Sequence, residues 1–325
     1  MTGRLGRTDL PAEQRHALRK AVRVEIFTIG YTVVTIALIA LVVGSSQAMR
    51  TAWIEDMLSL LPQIAFLVAL VFIRRRPGRT FPFGMHRAMG VGHLVAGVAL
   101  LIVGGNLAVE AVVGFVRGEH PTIGTVNLFG HTIWLGWLMI GVMSLIVIGP
   151  LFYGPYKAKL AGPLHNKLLH ADAAMAKADW QTTVASIVGV GGVGLGIWWL
   201  DSAAALFISL GILWDGWRNT VTAVGDLIDK RATTYDTKAV HPVIADVLGL
   251  VRGTRGVADA AVRVRDLGQV LHVEVFVVLR RRRADVAQLE RLRERIVGLD
   301  WKMQDVVVIP VSSLPDEATA RVDPT

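Results

Sequence analysis

The chain has 325 residues, no cysteine, a formal net charge of +8, 53% hydrophobic and 18% charged residues, and a mean hydropathy of +0.49. A soluble domain carries about a quarter charged residues, so this deficit, gathered in runs, points to a membrane protein. The lack of cysteine excludes disulfides and thiolate metal sites. The basic residues sit at the ends of apolar runs, where they orient helices, and do not argue for nucleic acid.

The N-terminus is polar and basic without a cleavable signal pattern, and residues 1–22 read as a cytoplasmic segment. Six membrane spans are then expected. Residues 26–49, 57–73 and 88–109 are the first three apolar runs, the second closed by Arg74, Arg75, Arg76 and Pro77. The fourth span is placed at 133–153. The fifth covers 180–200 with a start upstream near His165, and the sixth covers 202–214 with a continuation to Val224. Lys and Arg crowd the N-terminus, residues 74–87, residues 157–167 and the stretch after Trp217, while the alternate loops are poor in them. Basic loops stay in the cytoplasm, so both termini are expected inside and the chain is expected in the cytoplasmic (inner) membrane. Residues 23–229 thus form the expected transmembrane domain.

Residues 230–312 read as a small cytoplasmic domain of order α-β-β-α-β, which suits a ferredoxin-like fold. Residues 236–253 carry a helical pattern, 258–265 and 269–279 are strand-like with a hairpin signal at Asp266-Leu267-Gly268, 284–299 is an amphipathic helix, and Asp305–Val311 is a third strand. Residues 280–283 are a basic loop within reach of anionic headgroups. The tail, 313–325, is polar and expected to be disordered.

A charge at mid-membrane costs roughly 2.5–3.5 kcal/mol, so intramembrane charges are candidates for function. Asp172, Met175 and Asp179 are spaced i, i+3, i+7 and share one helix face. Glu55 and Asp56 open the second helix and point about 100° apart. Two helices that each present a carboxylate to a common interior make a cation site of hard oxygen ligands, with Met175 adding a thioether. Crowded carboxylates repel, which couples cation binding to proton release. His93 and Glu110 read as packing or interface residues, Asp215 as a partner of Arg218, and Lys177 as a partner for Asp172 or Asp179.

Several local motifs resemble those of the cation diffusion facilitator family. Phe81-Pro82-Phe83-Gly84-Met85-His86-Arg87 is similar to the segment before its third helix. Residues 171–179, with Asp172, Met175 and Asp179, resemble Ala-Asp-x-x-His-x-x-x-Asp of its fifth helix. Asp201-Ser202-Ala203-Ala204-Ala205 and Asp226-Leu227-Ile228-Asp229 resemble the start and end of its sixth, and His272-Val273-Glu274 its cytoplasmic His-x-Glu strand. The resemblance implies a homodimeric, proton-coupled exporter of a divalent metal, with zinc, iron(II), manganese and cobalt all open. It is not an enzyme family. Carried over by position, Asp56 and Asp179 are transport-site ligands. The other two ligand positions hold Leu60 and Met175, and Glu55 is a candidate to compensate for Leu60. A second reading is a transport-deficient membrane scaffold or metal sensor that acts through the cytoplasmic domain.

Overall fold

A computed structural model describes residues 10–75, 77–128, 130–280 and 285–315. Its first helix, α1 (Ala12–Val42), starts ten residues before the expected end of the N-terminal segment and runs into the apolar stretch without a break. A turn at Val43–Ser46 leads to α2 (Gln47–Ile73), and residues 74–87 lead to α3 (Ala88–Arg117). A short antiparallel hairpin follows, β1 (Thr125–Leu128) with β2 (His131–Trp134). Then come α4 (Leu135–Ile146) and α5 (Ile148–Leu164), interrupted only at Val147. Long helices α6 (Lys167–Gly194) and α7 (Trp199–Leu227) complete the bundle.

Among the described residues four helical stretches, not the expected six, are long and apolar enough to cross a membrane: Ala12–Val42, Gln47–Ile73, Ala88–Arg117 and Leu135–Leu164. The physical reason lies in α6 and α7. They are 28 and 29 residues long. Lys167, Asp172, Lys177 and Asp179 break the apolarity of α6, and Asp201, Asp215, Arg218 and Asp226 that of α7. These helices pack on their neighbours, α6 on α2, α5 and α7, and α7 along α3. A helix enclosed by others keeps polar positions that lipid would reject. The α3–α7 approach is close because a Cβ added at Gly97 would lie 2.7 Å from Thr220 Oγ1, and one at Gly216 2.7 Å from the Leu101 nitrogen.

The expected basic loop at 157–167 is also corrected. Residues up to Leu164 belong to α5, and only His165 and Asn166 separate it from α6. Lys157 is fully buried.

The C-terminal region contains α8 (Val243–Arg252), β3 (Val257–Asp266), β4 (Leu271–Leu279), α9 (Val286–Val297) and β5 (Asp305–Val311). The three strands form one sheet of order β3-β4-β5, with β3 antiparallel and β5 parallel to β4. Val247, Val251, Val273, Val275, Val277, Leu292 and Ile296 fill its core. Asp285 caps α9, accepting from the Ala287 N–H at 3.0 Å. The basic run at 281–283 and the tail at 316–325 lie outside the described residues.

Candidate metal site and the charged groups of the bundle

α2 and α6 pack together, and this contact sets the candidate site. Asp56 is partly buried, and its Oδ2 accepts from Thr35 Oγ1 of α1 at 3.2 Å. Of the charged groups around Asp179, Asp56 acts on it most strongly. Glu55 lies against Thr182, and Asp179 is its strongest charged neighbour. Three carboxylates from two helices thus share one region of the bundle. No basic side chain among the described residues forms an ion pair with any of them. Thr182 and Thr183 both donate to the Asp179 carbonyl at 2.8 Å, a bonding pattern that bends helices.

Met175 and Asp172 are placed differently. Met175 is buried in an apolar cluster with Ile39, Met49, Leu58 and Ile208. It also borders a cavity of about 30 Å³ that His93, Asp215 and Asn219 line. His93 Nε2 sits 3.3 Å from Asn219 Oδ1, and Glu110 pairs with Arg50 on the exterior at 3.5 Å. Asp172 is engaged by a lysine, and the side chain of Lys177 lies outside what the structure describes. Lys157 Nζ lies 2.5 Å from Asp172 Oδ2 and 3.1 Å from Glu25 Oε2. This triad joins α1, α5 and α6 in the interior. Glu25 and Lys157 were not singled out from sequence, because each sits at the polar end of an apolar run and their pairing spans 132 positions. Among the described residues, no three His, Asp or Glu side chains are grouped as a preformed metal cage.

Other carboxylates hold the architecture. Asp201 is fully buried and caps α2: Ser46 Oγ donates to Oδ1 at 2.5 Å and the Gln47 N–H to Oδ2 at 2.6 Å. Ser46 in turn accepts from the Met49 N–H at 3.1 Å. Asp226 takes Lys167 Nζ at 2.6 Å, and Lys167 is also 3.7 Å from Asp266. Buried Lys302 reaches Asp266 at 3.3 Å and the His165 carbonyl at 3.1 Å. Asp229 accepts from Arg87 and, at 2.7 Å, from Arg265. These ion pairs tie the bundle to the C-terminal sheet.

In that sheet His272 and Asp305 are register partners on β4 and β5. His272 Nδ1 lies 2.5 Å from Asp305 Oδ2, and Nε2 lies 3.2 Å from Glu274 Oε1. The Asp305 hydrogen bond raises the His272 pKa above its ordinary 6.5. Both ring nitrogens are therefore committed to carboxylates.

A bundle with several helices long and apolar enough to cross a membrane defines a multi-pass membrane protein. The cation efflux transmembrane domain family matches residues 24–228, and the chain belongs to that family, whose members are divalent-metal transporters rather than enzymes. Two relatives from Bacillus subtilis (strain 168) are similar over most of their length. The uncharacterized transporter YdbO is 23% identical over 271 residues, covering 82% of this chain and 86% of the relative. The manganese efflux system protein MneS is 24% identical over 247 residues, covering 74% and 77%.

Proposed function

We propose that the protein exports a divalent metal through the α2–α6 region, with Asp56 and Asp179 as its ligands and Glu55 as an auxiliary carboxylate. The observation that carries this reading is the gathering of carboxylates, dominated by one another's charge, with which no described basic side chain forms an ion pair. Carboxylates buried without a counter-charge are costly unless a cation or proton neutralises them. Exchange of the two is the basis of a metal–proton antiport, worked by rocking of the bundle. Manganese(II) is the cargo we favour. An oxygen-only donor set suits it, and MneS bears its name for manganese efflux. Zinc fits less well without histidine. Met175 sets selectivity from the edge of the site, and Asp172 serves through its ion pair with Lys157. We further propose a homodimer in the cytoplasmic membrane with both termini inside, residues 23–229 acting as the transport domain and 230–312 as the regulatory one.

The test is metal efflux from loaded proteoliposomes with simultaneous proton recording. Asp56→Asn and Asp179→Asn should each lower manganese flux at least tenfold, and Met175→His should raise zinc flux relative to manganese. Wild-type flux in both carboxylate variants would refute the site. A wild-type protein that moves neither metal nor protons would favour the scaffold reading instead.

A further inference from the structure

An apolar cavity of about 840 Å³ lies between α2 and α3 at the end of the bundle next to the C-terminal sheet. Its walls include Val68, Phe72, Val91 and Val95, side chains of two membrane-crossing helices that are well exposed on the outer face. Its mouth is polar, lined by His86, Arg87, Arg265, His272 and Asp305.

Two donors at that mouth are unsatisfied. His86 is 4% exposed, yet neither ring nitrogen has a hydrogen-bonding partner among the described residues. Arg265 Nε is likewise buried and unpartnered. Buried polar groups are rarely left unpaired, and each one invites a missing ligand. The loop folds over His86 at Gly84, whose φ of 79° suits glycine; a side chain there would meet the ring at 3.1 Å. Burial lowers the His86 pKa below its ordinary 6.5, so the ring is neutral at neutral pH and offers one N–H. Arg74, Arg75 and Arg79 of the preceding loop are exposed, and Arg75 lies over the ring of Phe72, one of the wall residues, at 5.1 Å. The acids nearby are engaged, Asp229 by Arg87 and Arg265, and Asp305 by His272.

We propose that this groove seats an anionic phospholipid, with one acyl chain along the α2–α3 wall and the phosphate at the mouth against His86 and Arg265. The volume falls in the range of roughly 300–1,000 Å³ that holds organic ligands, and far exceeds what a bare phosphate fills. The apolar wall faces the bilayer, and the charge at the mouth is complementary to a phosphodiester.

Full-length protein purified in detergent is exposed to phosphatidylglycerol, phosphatidylcholine or inorganic phosphate. Retained lipid is counted by native mass spectrometry, and stabilisation is read from thermal unfolding. Phosphatidylglycerol should be retained at least about tenfold more strongly than phosphatidylcholine. His86→Leu should erase most of that preference. Val68→Trp, on the outward face, should fill the groove and reduce retention of phosphatidylglycerol by a similar factor while the protein stays folded. Equal retention of the two lipids, or unchanged retention in Val68→Trp, would overturn the proposal. Equal stabilisation by inorganic phosphate would assign the donors to a free anion and overturn it too. So would a Val68→Trp variant that loses self-association but keeps its lipid, since the groove would then be a contact between two copies.

Discussion

Lys157→Met tests the interior of the bundle most directly. The ammonium lies 2.5 Å from Asp172 Oδ2, 3.1 Å from Glu25 Oε2 and 5.5 Å from the centre of the Tyr153 ring. Glu25 and Lys157 are fully buried, and Glu25 Oε1 has no partner among the described residues. Methionine keeps the length of the stem and removes the charge. Two carboxylates are then left facing each other without a counter-ion. Breaking a buried pair from one side costs about 3–5 kcal/mol. For a domain of this size about 1 kcal/mol moves Tm by roughly 2–4 °C, so the expected fall is about 6–20 °C. The assay is thermal unfolding of the full chain in one fixed detergent, with Glu25→Gln and the double variant alongside. Glu25→Gln should recover part of the loss in the Lys157→Met background, because it removes one of the orphaned charges. Contacting residues couple by about 0.5–3 kcal/mol in such a cycle. A Lys157→Met protein that melts with the wild type would refute the reasoning. A double variant less stable than Lys157→Met would show that uncompensated carboxylates are not what the mutation leaves behind.

Two other predictions concern the scaffold. Asp201→Ala removes the acceptor for Ser46 Oγ and the Gln47 N–H at the start of α2; it should cost about 2–3 kcal/mol and be read in the same melting assay, with Asp201→Asn losing less. In the C-terminal sheet, hydrogen bonding between the two partners raises the His272 pKa from 6.5 and lowers that of Asp305 from 3.8. The histidine term is fully present below 6.5 and is lost as pH rises through the raised value. The aspartate term is present above 3.8 and is lost as pH falls through the depressed value. Hydrogen exchange across β4 and β5 should therefore be slowest between 3.8 and 6.5 after correction for intrinsic rates, and faster on the alkaline side by about 1 kcal/mol of protection. His272→Gln should flatten the alkaline change; an unaltered profile would count against the pair.

Hydropathy made the membrane class legible, and it located the cores of α1, α2 and α3. It did not locate their ends. The uncharged run at 26–49 hides a turn at Gly44 and the first residues of α2, because nothing in that turn is charged. The count of six failed where charge enters the bundle: α6 and α7 are long helices, but their composition does not meet the demand that lipid makes. β5 occupies Asp305–Val311 as its β-branched run indicates. α8 begins at Val243, later than the helical pattern, since Pro242 precedes it. At the candidate site, the residue types and spacings of Asp56 and Asp179 were legible, but their mutual approach depends on how α2 packs on α6. The role of Lys157 was hidden for a related reason. A lysine at the end of an apolar run reads as a loop cation, and only the two acids supplied by α1 and α6 turn it into a buried one.

The carboxylates of the bundle fall into two sets, and the division follows from the cost of burying charge. Asp172, Asp201 and Asp226 each meet a lysine or a fan of hydrogen-bond donors supplied by another helix. They hold the helices in register, and their loss should be read in stability. Glu55, Asp56 and Asp179 meet one another and threonine hydroxyls instead. Such a group adds nothing to a resting fold, because repulsion between like charges opposes the packing that brings them together. In the transport reading proposed above, a cation or proton that comes and goes neutralises it, which a fixed lysine would not do. The family's motifs alone do not separate these sets, since Asp172 and Asp179 stand in the same one. The position of Lys157 separates them: it pairs directly with Asp172 and takes it into the scaffold, while it acts on Asp179 more weakly than Asp56 does.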